Sequence, residues 1–279
     1  MQGYLKYGII PVVKKFEITP YQLQLNKKGL PKGRVRIAYL SDLHNCQNGP
    51  NNRVLLQALR RLQPDLILCG GDMIVGRPGQ SVETGRSFML RVAGEFPVYA
   101  GTGNHEYRTR IYPETYPHMY TAYHDPLRKA GVHFLENESA LVSMHGIPLR
   151  IYGFECSRTE YRRFRRQKTL KAGRLEKQFG RPAPEEVSIL LAHTPQYLAS
   201  YLKWGADLTL CGHYHGGICR FGEHTGAISP GLELFTPLAH GHYAWGLSHA
   251  IVGAGLGEHT LPLRFHNPRE LVVVDLSVN

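Results

Sequence analysis

The first hundred residues alternate between continuous apolar runs and amphipathic stretches. Residues 34–40, 64–71 and 96–103 have the pattern of strands that are buried on both faces. Between them, residues 52–63 and 85–94 carry apolar side chains at helical spacing. This strand–helix–strand order predicts a parallel sheet with right-handed crossovers.

The middle of the chain has a different pattern. A helix is predicted over residues 122–131, and short strand-like runs punctuated by Gly and Asn follow over residues 132–155. We expect these runs to form an antiparallel meander. Alternation then returns with a strand over residues 187–193, a helix over 194–204 and a strand over 206–213.

Two more strands are predicted near the end of the sequence, over residues 249–257 and 269–278. No linker and no shift in composition divides the chain. The expectation is a single mixed α/β domain over residues 1–279, with a basic insertion at about 157–181.

Composition indicates a folded protein of the cytoplasm. Hydrophobic residues make up 42% and charged residues 20% of the 279 positions. No apolar run reaches the roughly 18–20 residues of a membrane span, and residues 1–15 lack the pattern of a signal peptide. The five cysteines form no C-x-x-C pair, which predicts reduced thiols instead of disulfides or a thiolate zinc site.

The formal net charge of +11 favours acidic partners, namely nucleic acid, anionic lipid or phosphorylated substrates. Residues 1–15 combine apolar side chains with three lysines; we favour an ordinary packed or frayed terminus there over contact with a membrane surface. The apolar residues are Tyr4, Leu5, Tyr7, Ile9 and Ile10. Nucleic acid is not expected, because no DNA- or RNA-binding motif is present.

The basic stretch at residues 158–181 holds ten Lys or Arg and two Glu. One interpretation is a solvated basic helix and loop. The other is a cap that receives an anionic substrate or membrane phosphate, with Tyr161, Phe164 and Leu170 as apolar contacts.

Side chains that can bind metals follow five of the predicted strands. They are Asp42 and His44, Asp72, Asn104, His193, and His213 with His215. Taken singly, each has an ordinary role in capping a helix or forming a turn. In a parallel sheet, however, all of them lie along the carboxyl edge, where ligands bind.

A buried cluster of imidazoles and carboxylates is costly unless a cation binds the lone pairs. Divalent transition metals accept such mixed nitrogen and oxygen ligands. Because seven ligands are too many for one ion, we expect two ions and a carboxylate that bridges them. Four other histidines are expected to be structural: His118, His124, His240 and His242.

These residues resemble the five signature blocks of the calcineurin-like metallophosphoesterases. The blocks are Asp42-x-His44, Gly71-Asp72, Gly103-Asn104-His105-Glu106, His193 and Gly212-His213-x-His215, and they occur in the family's order over roughly residues 34–220. The tail "RFHNPREL" resembles a segment of a bacterial subgroup of small, often membrane-associated phosphoesterases related to UDP-2,3-diacylglucosamine hydrolases.

The resemblance implies a four-layer α-β-β-α sandwich with two mixed β-sheets. It also implies that one metal is bound by Asp42, His44 and His215, the other by Asn104, His193 and His213, and that Asp72 bridges them. His105 would be the catalytic residue, stabilising the transition state or protonating the leaving oxygen. Glu106 would orient a ligand or His105 from behind. Tyr214 replaces the commoner Thr or Ser, and we expect it to pack.

The function that follows is a phosphohydrolase dependent on two divalent metals. A hydroxide that bridges the metals would attack the phosphorus in line. The expected reaction is that of a phosphodiesterase or pyrophosphatase on a phosphorylated small-molecule, nucleotide-linked or lipid-linked substrate, with peripheral contact to an anionic membrane. Mn²⁺ is the favoured ion, and Fe or Zn would also suit the ligands.

Three alternatives stay open. The same fold serves phosphomonoesterases and nucleases, and some members act as scaffolds without catalysis. A scaffold is disfavoured because all seven ligand positions and His105 are filled.

Overall fold

The computed structural model describes residues 16–161, 169–230, 232–258 and 263–279. These residues form fifteen strands: β1 (Phe16–Leu25), β2 (Gly33–Leu40), β3 (Leu66–Cys69), β4 (Val98–Ala100), β5 (His133–Phe134), β6 (Ser139–Met144), β7 (Ile147–Phe154), β8 (Val187–Ala192), β9 (Leu208–Cys211), β10 (Arg220–Phe221), β11 (Thr225–Ile228), β12 (Leu234–Thr236), β13 (Gly241–Trp245), β14 (Ser248–Val252) and β15 (Arg269–Val278).

Six α-helices accompany the strands: α1 (Arg53–Leu62), α2 (Glu83–Ala93), α3 (Asn104–Ile111), α4 (Met119–Lys129), α5 (Arg174–Phe179) and α6 (Leu198–Trp204). Short 3-10 turns span Pro50–Asn52, Pro195–Tyr197 and His215–Gly217. None of the helices in the described residues has both the length and the apolar character needed to cross a bilayer.

Twelve strands form two mixed six-stranded sheets. The order is β1-β15-β2-β3-β4-β5 in the first sheet and β13-β14-β9-β8-β7-β6 in the second. In the first sheet β15 runs parallel to β1 and antiparallel to β2, whereas β2 to β5 are parallel. In the second sheet β7, β8, β9 and β14 are parallel, and β6 and β13 are antiparallel to their neighbours.

Three apolar clusters hold these sheets in four layers. The central cluster joins the facing surfaces of the two sheets, for example Ile37 and Leu68 with Ile189 and Leu210. A second cluster packs α1, α2 and α4 on the first sheet, and a third packs α5 and α6 on the second. The expected α-β-β-α sandwich with two mixed sheets is confirmed.

Strand β2 shows why the buried ends of the central strands are apolar. Its residues Val35, Ile37 and Tyr39 face the second sheet, while Ala38 and Leu40 face the helices. A strand covered on both faces has no solvent side on which to place polar residues.

The predicted three-stranded meander is wrong. Strand β5 belongs to the first sheet, where it pairs in parallel with β4. Only β6 and β7 form an antiparallel hairpin, and β7 is parallel to β8. Strand β5 follows α4 and completes another strand–helix–strand unit. Because β5 has only two residues, the sequence pattern does not reveal this unit.

Helix α3, strand β13 and two larger features were not predicted. Strand β1 is half exposed and contains Pro20, so its pattern is that of an edge strand. The other is a small antiparallel sheet with the order β10-β11-β12.

Other sequence expectations have clear outcomes. All five cysteines are free thiols, as predicted. Leu170 is buried in the cluster beneath α6, so its expected contact with substrate or membrane is wrong. Phe164 and residues 1–15 lie outside the described residues, and the expectations about them stay predictions.

Candidate metal centre

The predicted ligands lie where five strands end, along the rim at which the two large sheets meet. Asp42 and His44 follow β2, Asp72 follows β3, Asn104 follows β4, His193 follows β8, and His213 and His215 follow β9. Two contacts join the sheets there. His193 Nδ1 donates to the carbonyl of Gly70 (2.8 Å), and the N–H of His213 donates to the Asp42 carboxylate (3.0 Å).

Asp42, His44 and His215 form what we call the first donor group. One potential ligand atom from each lies within 4.8 Å of the other two. The Nε2 atoms of His44 and His215 are 3.1 Å apart, and His215 Nε2 is 3.4 Å from Asp42 Oδ1. Two ring nitrogens and a carboxylate that converge in this way are suited to binding a cation.

Asp72, His193 and His213 form the second donor group, within the same distance limit. Because His193 Nδ1 donates to a carbonyl, its Nε2 is left to face Asp72 Oδ2, 3.1 Å away. A backbone acceptor that fixes the tautomer in this way is typical of metal-binding histidines.

The Asn104 side chain lies beside the second donor group. With its amide nitrogen turned inward, it donates to Asp72 Oδ2 (3.1 Å) and His213 Nδ1 (2.9 Å), and its oxygen accepts from Arg108 (2.7 Å). With the oxygen turned inward, it faces Asp72 Oδ2 and the His213 ring nitrogen, three acceptor atoms that a cation could bind together.

Asp72 connects the two groups. Besides its place beside His193 and His213, it forms a further potential metal-binding set with His44 and His105. Its Oδ2 lies 3.7 Å from His44 Nε2, and its Oδ1 accepts the backbone N–H of His105 (2.8 Å). Asp72 is therefore positioned between the donors supplied by the two sheets.

The backbone at the rim is strained. Five of the seven predicted ligands have a positive φ of 47–67°, namely Asp42, His44, Asp72, His213 and His215. Residues other than glycine rarely adopt this backbone conformation, and such strain concentrates at functional sites. It aims each side chain back toward the rim immediately after its strand ends.

Two glycines of the signature blocks permit close contact with the carboxylates. A Cβ added to Gly212 would lie 2.1 Å from Asp42 Oδ2, and one added to Gly103 would lie 2.2 Å from Asp72 Oδ1. Any side chain at either position would displace a carboxylate.

Glu106 supports the loop that carries Asp72. Its carboxylate accepts the backbone N–H groups of Asp72 (2.8 Å), Met73 (2.8 Å) and Ile74 (3.3 Å). Burial and the nearby Asp72 charge raise the pKa of Glu106 to about 7. Glu106 was expected to orient either a metal ligand or His105. These contacts are made to the backbone of Asp72 and its neighbours, which corresponds to the first of the two roles.

His105 lies at the edge of the donor groups with a defined tautomer. Its Nδ1 accepts the backbone N–H of Gly76 (2.8 Å), so a neutral ring carries its proton on Nε2. Burial, only partly opposed by Asp72, lowers the pKa of His105 to about 4. The ring is therefore neutral at pH 7 and can donate a hydrogen bond from Nε2.

The donor groups have a distinctive electrostatic environment. Burial raises the pKa of Asp42 to about 6. Although burial acts the other way, His193 and His105 hold the pKa of Asp72 well below its usual range. Against the effect of its own burial, Asp72 raises the pKa of His193 to about 9. Asp72 is thus an ionised carboxylate surrounded by imidazoles.

Of the further residues near the site, Asn267 and Arg264 were not predicted, whereas Tyr161 was named as an apolar contact in the cap interpretation. Asn267 Nδ2 donates to the carbonyl of His215 (2.6 Å), and Arg264 donates to the carbonyl of Ala254 (2.8 Å) beside it. The Tyr161 ring lies 5.9 Å from the His213 ring, and its buried hydroxyl has no hydrogen-bond partner among the described residues. The only sequence signal for Asn267 and Arg264 was the resemblance of the tail "RFHNPREL", which contains both residues.

The other sequence expectations concerned aromatic side chains. Tyr214 is buried and packs, as expected. His240 Nε2 lies 2.9 Å from Glu270, His242 lies 3.0 Å from His249, and the buried His124 stacks on Tyr120; none of these three belongs to a donor group in the described residues.

Comparison with curated proteins yields relatives among bacterial metallophosphoesterases. An uncharacterised metallophosphoesterase of Aquifex aeolicus (strain VF5) is 25% identical over 265 residues, which cover 93% of this chain and 91% of that protein. The uncharacterised metallophosphoesterase YkuE of Bacillus subtilis (strain 168) is 36% identical over 91 residues, 32% of this chain and 31% of that protein.

Similar solved structures include an archaeal phosphodiesterase, with a TM-score of 0.40, 12% identity and coverage of 79% of this chain and 84% of that one. The NAD nucleotidase of Haemophilus influenzae has a TM-score of 0.46 and 16% identity, over 80% of this chain and 46% of that one.

The family model for calcineurin-like phosphoesterases matches residues 35–217, which include every predicted ligand. This range covers more than half of the chain. The protein therefore belongs to the calcineurin-like phosphoesterase family and is a metal-dependent hydrolase of phosphoesters.

Proposed function

We propose that the protein uses two divalent ions to hydrolyse a phosphodiester or pyrophosphate bond in a lipid- or nucleotide-linked substrate. The observation that supports this most strongly is the position of Asp72, whose carboxylate belongs to donor sets on both sides of the rim. A carboxylate has two oxygens and can serve two ions at once.

The proposed ligands divide by donor group. The first ion is bound by Asp42, His44 and His215, the second by Asn104, His193 and His213, and Asp72 is shared. Two ions there would lower the pKa of a bound water and neutralise the phosphoryl oxygens during in-line displacement. Mn²⁺ is our first choice, and Fe or Zn is compatible with the same nitrogen and oxygen donors.

His105 is the proposed catalytic residue of the protein itself. Its neutral ring keeps a proton on Nε2, because Gly76 N–H occupies Nδ1. That proton can stabilise a phosphoryl oxygen in the transition state or pass to the departing oxygen. A diester or pyrophosphate has a leaving group that benefits from such a donor.

The donor groups also support treating both sheets as one functional unit. His193, His213 and His215 follow strands of the second sheet, while the carboxylates follow strands of the first. Neither sheet alone supplies a complete ligand set. The proposed insertion at 157–181 leaves β7, which ends at Phe154 on the same rim.

Hydrolysis of bis-p-nitrophenyl phosphate by the purified protein tests the proposal. We expect activity with added Mn²⁺ and none after chelation. The Asp72→Ala variant should lose about 10³-fold or more, since metal ions supply several kcal/mol of transition-state stabilisation. Asp275→Ala, a carboxylate at the opposite end of the first sheet, is the matched control and should keep the activity of folded protein.

Each competing function has its own outcome. Faster cleavage of p-nitrophenyl phosphate would indicate a phosphomonoesterase, and cleavage of single-stranded DNA a nuclease. Tight metal binding with no hydrolysis of any of these substrates would indicate a scaffold. Unchanged hydrolysis by Asp72→Ala would refute the shared-ligand assignment.

A further inference from the structure

Arg108 lies beside the second donor group without an acidic partner. It is partly buried in α3, one turn after Asn104, and its Nε donates to the backbone carbonyl of Asn104 (3.1 Å). Arg110 of the same helix pairs with both Glu136 (2.6 Å) and Glu155. Arg108, in contrast, forms no ion pair with a carboxylate of the described residues, so its positive charge is available to an anion.

The loop around Gly76 fixes the path of the Arg108 side chain. A Cβ added to Gly76 would lie 3.1 Å from Arg108 Cγ and 3.2 Å from Cδ, so the aliphatic part of Arg108 rests on this glycine. The N–H of Gly76 also donates to His105 Nδ1 (2.8 Å). The same loop therefore supports the proposed catalytic ring and the Arg108 side chain.

The Asn104 amide determines what the end of Arg108 can bind. Arg108 Nη2 lies 2.7 Å from the outer atom of that amide, on the side away from Asp72 and His213. When the amide nitrogen is turned inward, the outer atom is the oxygen, and it accepts a hydrogen bond from Arg108. This orientation satisfies the side chains only while the Asn104 oxygen is not needed by a cation.

The opposite orientation of the amide places two donors face to face. A cation in the second donor group requires the Asn104 oxygen to be turned inward, and the outer atom is then the amide nitrogen. Neither an amide nitrogen nor a guanidinium can accept a hydrogen bond. Both groups consequently need an acceptor from outside the described chain.

A phosphoryl group is the acceptor that suits these donors. In the described part of the chain, Arg108 Nη1 also has no acceptor within hydrogen-bond distance, so Nη1 and Nη2 form an open edge of the guanidinium. This planar edge can bind two oxygens of one phosphate through parallel, charge-assisted hydrogen bonds. Asn104 and His105, between which the substrate phosphorus is proposed to react, are one turn away on the same helix.

We propose that Asn104 switches Arg108 between two partners. In the metal-free protein the Asn104 oxygen accepts from Arg108; when that oxygen is a metal ligand, Arg108 and the Asn104 amide nitrogen bind a phosphoryl oxygen of the substrate. The inference rests on the proposed function for the second ion and the phosphoester. Its consequence is that metal and phosphate strengthen each other's binding.

Titrations of the Arg108→Gln variant test this switch without relying on hydrolysis. Inorganic phosphate is the probe, and isothermal titration calorimetry is the measurement. In protein saturated with Mn²⁺, the variant should bind phosphate at least about tenfold more weakly, because a charge-assisted hydrogen bond is lost. Mn²⁺ itself should bind the variant at least as tightly as the wild type, since Arg108 no longer retains the Asn104 oxygen.

The Arg128→Gln variant is the control for the loss of one positive charge. Arg128 is exposed near the end of α4, and α4 leads into the start of β5, so Arg128 lies away from the rim that carries the donor groups. This variant should bind both phosphate and Mn²⁺ like the wild type. An equal loss of phosphate binding in Arg128→Gln would show an effect of net charge alone and would overturn the switch.

Two further results would overturn it. One is wild-type affinity for phosphate in Arg108→Gln. The other is weaker binding of Mn²⁺ by that variant, which would mean that Arg108 supports Asn104 as a ligand or supports the fold. Failure of the proposed function has a different signature, because the wild-type protein itself would then bind no Mn²⁺.

Discussion

Where the central strands begin, partly buried carboxylates have cationic side chains beside them. Asp275 accepts from Arg36 (2.8 Å), and Asp207 lies 2.8 Å from Lys27. Where the strands end, Asp42 and Asp72 have no Lys or Arg within ion-pair distance among the described residues and face imidazoles instead. Asp42 and Asp72 therefore have the opposite environment to Asp275 and Asp207.

The difference separates stability from function. A carboxylate paired within the protein is satisfied by folding itself. The buried Asp42 and Asp72 accept backbone N–H groups and face imidazoles, so they keep oxygen atoms that a bound cation could use. We expect substitutions at the rim to reduce activity and substitutions at the opposite end of the sheets to reduce stability. Four predictions test this contrast.

The largest effect is expected for Asp42→Asn. Because burial raises the pKa of Asp42 to about 6, the ionised group is disfavoured in the metal-free fold, and that fold should not lose stability in the variant. Hydrolysis should fall about 10³-fold or more, because the first donor group loses its carboxylate. Thermal unfolding with and without Mn²⁺ checks this: Mn²⁺ should stabilise the wild type and have much less effect on the variant. Strong destabilisation of the metal-free variant would show that Asp42 serves stability, and would contradict the division between the two ends of the sheets.

His105→Ala should reduce kcat by about 10²–10⁴-fold, the usual contribution of a positioned proton donor. Both ions should be retained, since His105 is not a proposed ligand. Metal content measured alongside kinetics distinguishes the two effects. His118→Ala, a histidine outside the donor groups, is the control and should leave both unchanged. Loss of metal from His105→Ala would mean that its role is misassigned.

Asp207→Asn should reduce stability and leave activity unchanged, the reverse of what we expect for Asp42→Asn. Asp207 accepts the N–H (2.8 Å) and hydroxyl (2.7 Å) of Ser188 and pairs with Lys27. Weakening these contacts should reduce the free energy of unfolding by about 2 kcal/mol. Urea denaturation measures this, and the activity of the folded fraction should be unchanged. A loss of activity without loss of stability would contradict the division between the two ends.

Tyr161→Phe should have the smallest effect. The Tyr161 hydroxyl is buried without a partner in the described residues, so removing it should stabilise the substrate-free protein by about 1 kcal/mol. Thermal denaturation is the measurement, with Tyr107→Phe, the neighbouring ring at 6.3 Å, as the control. A decrease in stability would show that the hydroxyl has a partner in solution.

Much of the rim could be predicted from the sequence, because the buried strands there are mostly apolar toward their ends and polar residues follow them. The positions of Asp42, Asp72 and His193 follow directly from that pattern. The predicted sandwich is confirmed, whereas the roles of the individual ligands and the single domain stay proposals. Strand β1 was missed because an edge strand with polar residues and Pro20 has no such signature.

Contacts between distant parts of the chain were harder to predict. The sequence placed Glu106 behind the site but did not indicate that it holds the backbone of residues 72–74. Asn267 lies 52 positions from His215, and no local pattern reports that they meet. Two-residue strands such as β5 and β10 carry too little periodicity to assign to a sheet.

The place of β15 has a consequence for how the protein is made. Synthesis proceeds from the N-terminus, yet β1 joins the first sheet through β15, the last strand of the described chain. The segment that leads into β15 also carries Asn267, which holds the His215 turn. A partly translated chain can therefore expose every proposed ligand and still lack the clamp on one of them. Synthesis of the segment around Asn267 would complete the support of the His215 turn, and chains truncated before Asn267 should lack hydrolytic activity.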